Sequence, residues 1–105
     1  MPHLKEAPTL KDYQEYVIAL ENERGFKHQT VIEKCLLLGE EIGELFKAVR
    51  KSENMTVDAN SEKNIVSEEL ADIFIYLCAI ANRYQIDLES AFRLKEELNK
   101  KRKWI

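Results

Sequence analysis

The sequence predicts an all-α protein, a protomer of four helices, and three observations carry that prediction. Turn-formers are scarce: the 105 residues include three glycines and two prolines, Pro2 and Pro8, too few for a strand-rich fold with many turns. Apolar residues recur at helical spacing rather than in alternation. Helix-opening residues, Thr9, Thr30 and Asp87, precede three of the four periodic stretches. An apolar fraction of 45% beside 33% charged residues belongs to a soluble globular chain, organised as a single domain over residues 1–105. A helical chain of this size buries a modest core, so pairing with a second copy is expected to complete it.

The first helix is expected to begin after Thr9, with Asp12 three residues on as its capping partner. Tyr13, Tyr16, Val17 and Leu20 give it an apolar face, and Gly25 stops it. Thr30 and Glu33 form the capping-box pattern that opens the second helix, where Val31, Cys35, Leu38, Ile42, Leu45 and Val49 predict an inward seam. The polar stretch from Lys51 to about Asn60 reads as a loop. A third helix is expected from Asn60 or Ser61 to about Tyr84, apolar on nearly all sides in its second half and therefore covered on more than one face. Asp87 caps a fourth helix carrying Leu88, Ala91, Phe92, Leu94 and Leu98 and ending in the basic "NKKRKWI".

Composition excludes several function classes. Lys+Arg 16 against Asp+Glu 19 gives a net charge of −3, against a nucleic-acid partner. The longest apolar run, Ile73 to Ala81, is about half of what a bilayer requires, and charges crowd the N-terminus, so neither a membrane span nor a secretory signal is expected. Cys35 and Cys78 have no zinc-site spacing and read as reduced core thiols of a cytoplasmic protein.

The chemistry concentrates in "LLLGEEIGELF", Leu36 to Phe46. Each glycine costs a helix interior about 1 kcal/mol relative to Ala, and Gly39 and Gly43 are expected to let another helix approach closely. Glu41 and Glu44, three apart, share a helix face, and Glu40 neighbours Glu44 at i, i+4. The third helix repeats the device with Glu69 and Asp72. Antiparallel packing of these helices brings four carboxylates together, a cluster that repels itself unless cations neutralise it, and an all-oxygen donor set suits Mg²⁺ or Mn²⁺. A ferritin-like di-iron site needs Glu-x-x-His pairs, and neither His3 nor His28 completes one.

Glu40, Glu41 and Glu44, then Glu69 and Asp72 after the stretch from Leu45 to Glu68, resemble the signature of the MazG-like all-α nucleoside triphosphate pyrophosphohydrolases. "ERGF", "GELFKAVRK" and "ELADIFIYLCAIANRYQIDLESA" are similar to that family too, so the resemblance runs from about Tyr13 to Trp104. It implies a MazG-like helical bundle and cleavage of a nucleoside triphosphate between the α and β phosphates, with Mg²⁺ as cofactor and Mn²⁺ as substitute. It assigns the metal to Glu41, Glu44, Glu69 and Asp72. Glu40 is expected to position or deprotonate the attacking water, and Glu41 shares the catalytic assignment. The pattern of Lys95 and Asn99, i, i+4 on one face, resembles a nucleotide-contacting motif, and Arg102 and Tyr76 are further substrate-binding candidates. Phe26, His28 and Trp104 match only loosely and receive no role. The family further implies a homodimer or a dimer-of-dimers tetramer.

Two alternatives lie outside this class: a non-catalytic helical dimer binding nucleotide or a partner protein, and an oligomerisation module with solvated glutamates. Within the wider superfamily, a phosphoribosyl-ATP pyrophosphohydrolase shares the implied fold and metal chemistry.

Overall fold

In the computed structural model, residues 1–55 and 65–103 are described, and they form four α-helices with no strand among them. These are α1 (Leu10–Arg24), α2 (Val31–Ser52), α3 (Val66–Arg83) and α4 (Leu88–Lys100). The expected start of the third helix, at Asn60 or Ser61, lies outside the described residues, as does Trp104. No helix among the described residues is long and apolar enough to cross a membrane.

Local chemistry sets the helix ends. Thr9 and Asp12 form a reciprocal capping box: the Asp12 amide donates to Thr9 Oγ1 at 3.2 Å, and the Thr9 amide donates to Asp12 Oδ2 at 2.8 Å. That bond to the Thr9 backbone holds the Asp12 carboxyl below its usual range, with the Thr9 hydroxyl and Lys5 adding to it. Thr30 Oγ1 accepts from the Glu33 amide at 3.1 Å, and Asp87 accepts from the Ser90 amide at 3.0 Å. Three helices end alike, the residue beyond a left-handed one reaching back five positions: Phe26 to Glu21, Met55 to Arg50 and Ile86 to Ala81. The left-handed residues are Gly25, Asn54 and Gln85, and only Gly25 meets no Cβ penalty there.

The chain divides into two compact units, Met1–His28 with Ala81–Ile105 and Gln29–Ile80. In the first, α1 packs on α4 and Val17, Leu20 and Ala81 are buried. Gln14 ties this unit together: its Nε2 donates to Asn82 Oδ1 at 3.1 Å and to the Ile86 carbonyl at 2.8 Å, while its Oε1 accepts from the Leu88 amide at 2.9 Å. Asn82 returns a bond to the Gln14 carbonyl at 3.0 Å. Arg83 donates to Glu21 at 2.9 Å and to the Phe26 carbonyl at 3.2 Å, fastening "ERGF" to the end of α3.

The second unit holds α2 and the body of α3, and here the predicted seam is corrected. Val31, Leu38 and Leu45 are half-buried, but Cys35, Ile42 and Val49 are exposed. The innermost line of α2 is instead Lys34, Glu41 and Ala48, seven residues apart and so on one face. Ile32, Leu36 and Phe46 stay 74%, 68% and 64% exposed. The expected close approach at the glycines is not seen among the described residues: a Cβ at Gly39 or Gly43 meets nothing within 4 Å. Cys78 is fully buried, which pushes its thiol up to about 11, whereas Cys35 is exposed and not a core thiol. On α3, Leu70 and Leu77 remain exposed beside the buried Cys78 and Ala79.

Candidate metal centre

A helical turn places Glu41 on the inward line of α2 and sets Glu69 and Asp72 on one face of α3. One carboxylate oxygen from each of these three residues lies within 4.8 Å of the others. Glu69 is buried, Glu41 half-buried and Asp72 exposed, so the group opens on one side. Glu69 Oε2 is buried with no hydrogen-bond partner. An unpartnered buried carboxylate oxygen is heavily penalised, and either a hydrogen-bond donor or a cation satisfies it.

The electrostatics agree. Desolvation first, then the hydrogen bond shared with Glu69, then the charges of Asp72, Glu69 and Glu44 push the Glu41 carboxyl up to about 7. Carboxylates this close repel one another, and a proton or a cation relieves that repulsion. Oxygen donors at this spacing fit a hard divalent ion.

Of the residues predicted from sequence, the structure gathers Glu41, Glu69 and Asp72. Glu44 is half-buried and stands outside the close trio, near enough for its charge to act on Glu41. Glu40 is exposed on the next position of α2. Tyr76, one turn beyond Asp72, is half-buried; desolvation, followed by the charges of Glu41, Asp72 and Glu40, raises its hydroxyl. Lys95, Asn99 and Arg102 belong to the other compact unit, Lys95 and Arg102 exposed and Asn99 half-buried on α4. Lys100 pairs with Glu97 and Arg93 with Glu89, which accounts for part of the basic tail as helix-surface pairing.

Sequence reasoning passed over Lys34. Its ammonium lies 5.6 Å from the centroid of the Tyr76 ring, and the residue is 3% exposed. The signal was available: Lys34 stands two turns before Glu41, on the same face.

Residues 26–104 match the MazG nucleotide pyrophosphohydrolase domain. No curated protein matches the chain. Among solved structures it is similar to iMazG from Vibrio DAT 722, at 32% identity and a TM-score of 0.64, over 89% of this chain and 95% of that one. It is also similar to the Bacillus-conserved MazG protein, a nucleotide pyrophosphohydrolase, at 29% identity and a TM-score of 0.70, over 96% of this chain and 97% of that one. With an acidic trio on two neighbouring helices of an all-α fold, and a family match spanning most of its length, the chain belongs to the MazG nucleotide pyrophosphohydrolase family and is a hydrolase of that kind.

Proposed function

We propose that the chain, acting as one catalytic domain over residues 1–105, is a Mg²⁺-dependent nucleoside triphosphate pyrophosphohydrolase that releases a monophosphate and pyrophosphate. The observation that carries the metal is the convergence of Glu41, Glu69 and Asp72 around the unpartnered Glu69 Oε2. Glu41, Glu44, Glu69 and Asp72 hold the ion, and Mn²⁺ substitutes for it. When bound, Mg²⁺ supplies Lewis acidity at the α-phosphate, an acidified water and neutralisation of the leaving pyrophosphate.

The chain's own residues do the rest. Glu40, exposed beside the trio's Glu41, orients the attacking water and accepts its proton at a carboxylate oxygen. Glu41 shares that work from the neighbouring position on α2. Tyr76 lines the nucleotide site, and Lys95, Asn99 and Arg102 contact phosphate or sugar. The exposed Ile32, Leu36 and Phe46 support a homodimer or a dimer of dimers, in which a second copy covers apolar surface that one chain leaves open. A cytoplasmic role in clearing nucleotide pools fits this activity, with neither nucleic acid nor membrane as partner.

Pyrophosphate release with Mg²⁺ across canonical, deoxy- and oxidised nucleoside triphosphates tests the reading, with Glu41→Gln as control. Release that vanishes in the variant is the expected result and ranks the substrates. Silence across the panel, with Mg²⁺ still raising the melting temperature, replaces the enzyme with a nucleotide-binding protein or moves the substrate to phosphoribosyl-ATP.

A further inference from the structure

Lys34 and Tyr76 stand in register with the metal centre. Lys34 precedes Glu41 by seven residues on α2, and Tyr76 follows Glu69 by seven on α3. Glu41 and Glu69 bring carboxylate oxygens within 4.8 Å of each other, and the pair Lys34 and Tyr76 meets ammonium to ring. The helices therefore run antiparallel, and the two pairs form successive layers of one face, about 10 Å apart along the axis.

A lysine only 3% exposed is a costly choice for packing alone, since an apolar side chain of similar volume often serves as well or better. Its ammonium lies within the range of a cation–π contact with Tyr76. Tyr76 itself is half-buried, so part of it remains open to a ligand. Tyr76, one layer from the carboxylates, is within reach of the nucleoside of a nucleotide whose phosphates lie at the carboxylate layer.

We infer that Lys34 is a positioning residue for the nucleoside end of the substrate, acting through Tyr76: the buried ammonium fixes the ring against which the nucleoside rests. This rests on the pyrophosphohydrolase reading above. Because Lys34 is enclosed, it holds the ring and does not touch the phosphates.

The test is calorimetric binding to the full chain with Mn²⁺ present, using a non-hydrolysable α,β-methylene nucleoside triphosphate and, as a phosphate-only probe, inorganic tripolyphosphate. Lys34→Met is expected to weaken the nucleotide analogue roughly tenfold. Binding of tripolyphosphate and of Mn²⁺ alone stays within about twofold, and Lys34→Arg keeps most of the analogue affinity. In a Tyr76→Leu background Lys34→Met changes nothing further, which a generally structural lysine does not predict. Unchanged analogue binding in Lys34→Met overturns the inference. So does an equal loss for tripolyphosphate, a loss of Mn²⁺ binding, or an effect that persists without Tyr76. Lys34→Gln repeats the comparison if Lys34→Met fails to fold, and failure of both neutral variants to fold overturns it in favour of a structural lysine. The wild-type protein judges the enzyme reading separately: no binding of any nucleoside triphosphate there defeats that reading, and this inference with it.

Discussion

Two polar clusters, one around Gln14 and one around Glu41, are built in opposite ways. Around Gln14, donors and acceptors answer one another: the side-chain amide meets Asn82, Ile86 and Leu88, and Asn82 answers the Gln14 carbonyl. Around Glu41 three carboxylates crowd together and one buried oxygen has no partner. The first arrangement is complete within the chain; the second is complete only with something added. A polar network that satisfies itself rigidifies a fold, while one that does not stores a binding preference.

Glu69→Gln breaks the contrast most sharply. The amide removes a negative charge and gives Glu41 a neutral donor, so the melting temperature in EDTA is expected to rise. Pyrophosphate release falls roughly 10²–10³-fold, measured on protein confirmed as folded. Gain of stability with loss of activity is the signature of a site built for a cation.

Gln14→Ala is the counterpart in the other unit. It strands the Ile86 carbonyl and the Leu88 amide, an expected cost of about 3 kcal/mol and a drop in melting temperature on the order of 15 °C. Turnover measured well below the new melting temperature stays at its wild-type rate.

A pH series sharpens the comparison further. The Glu41 carboxyl titrates near 7 in the folded chain against 4.5 as its ordinary value, so the native state holds a proton that the unfolded chain has released. In EDTA, stability is therefore fully present below about 4.5 and is lost as pH rises towards 7. With Mg²⁺ the sign reverses, because the ion and the proton compete: stabilisation by the metal grows up to about pH 7 and then levels off. Thermal melts across that range, with and without metal, check both slopes. The smallest effect is Thr9→Ala, which removes one half of a capping box at a cost of about 1 kcal/mol and leaves metal binding untouched.

Local signals were the legible part of this sequence. Thr9, Thr30 and Asp87 cap the helices they were expected to cap, and Gly25 adopts the left-handed stop. These features depend on a few neighbouring residues. Of the four carboxylates expected to meet, Glu41, Glu69 and Asp72 come together and Glu44 does not; spacings of three put side chains on one face and only two helices had to meet. The seam of α2 was misread because hydropathy ranks residues by transfer from water, and that ranking fails where a site draws charged groups inward: Lys34 and Glu41 turn in while Ile42 and Val49 face out. Gly39 and Gly43 were expected to let another helix approach closely, whereas among the described residues the space beside them is open. A single sequence carries no mark that tells a surface covered by its own chain from one left for another.

Cys35 gives that distinction a chemical readout. It is exposed on α2, as Ile32 and Leu36 are, while Cys78 is enclosed and its thiol pushed up to about 11. A maleimide dye therefore reacts at one position of the native chain without any engineering. Its labelling rate becomes a clock for that part of α2: fast and independent of protein concentration if it is open to solvent, slowing with concentration if copies of the chain close over it.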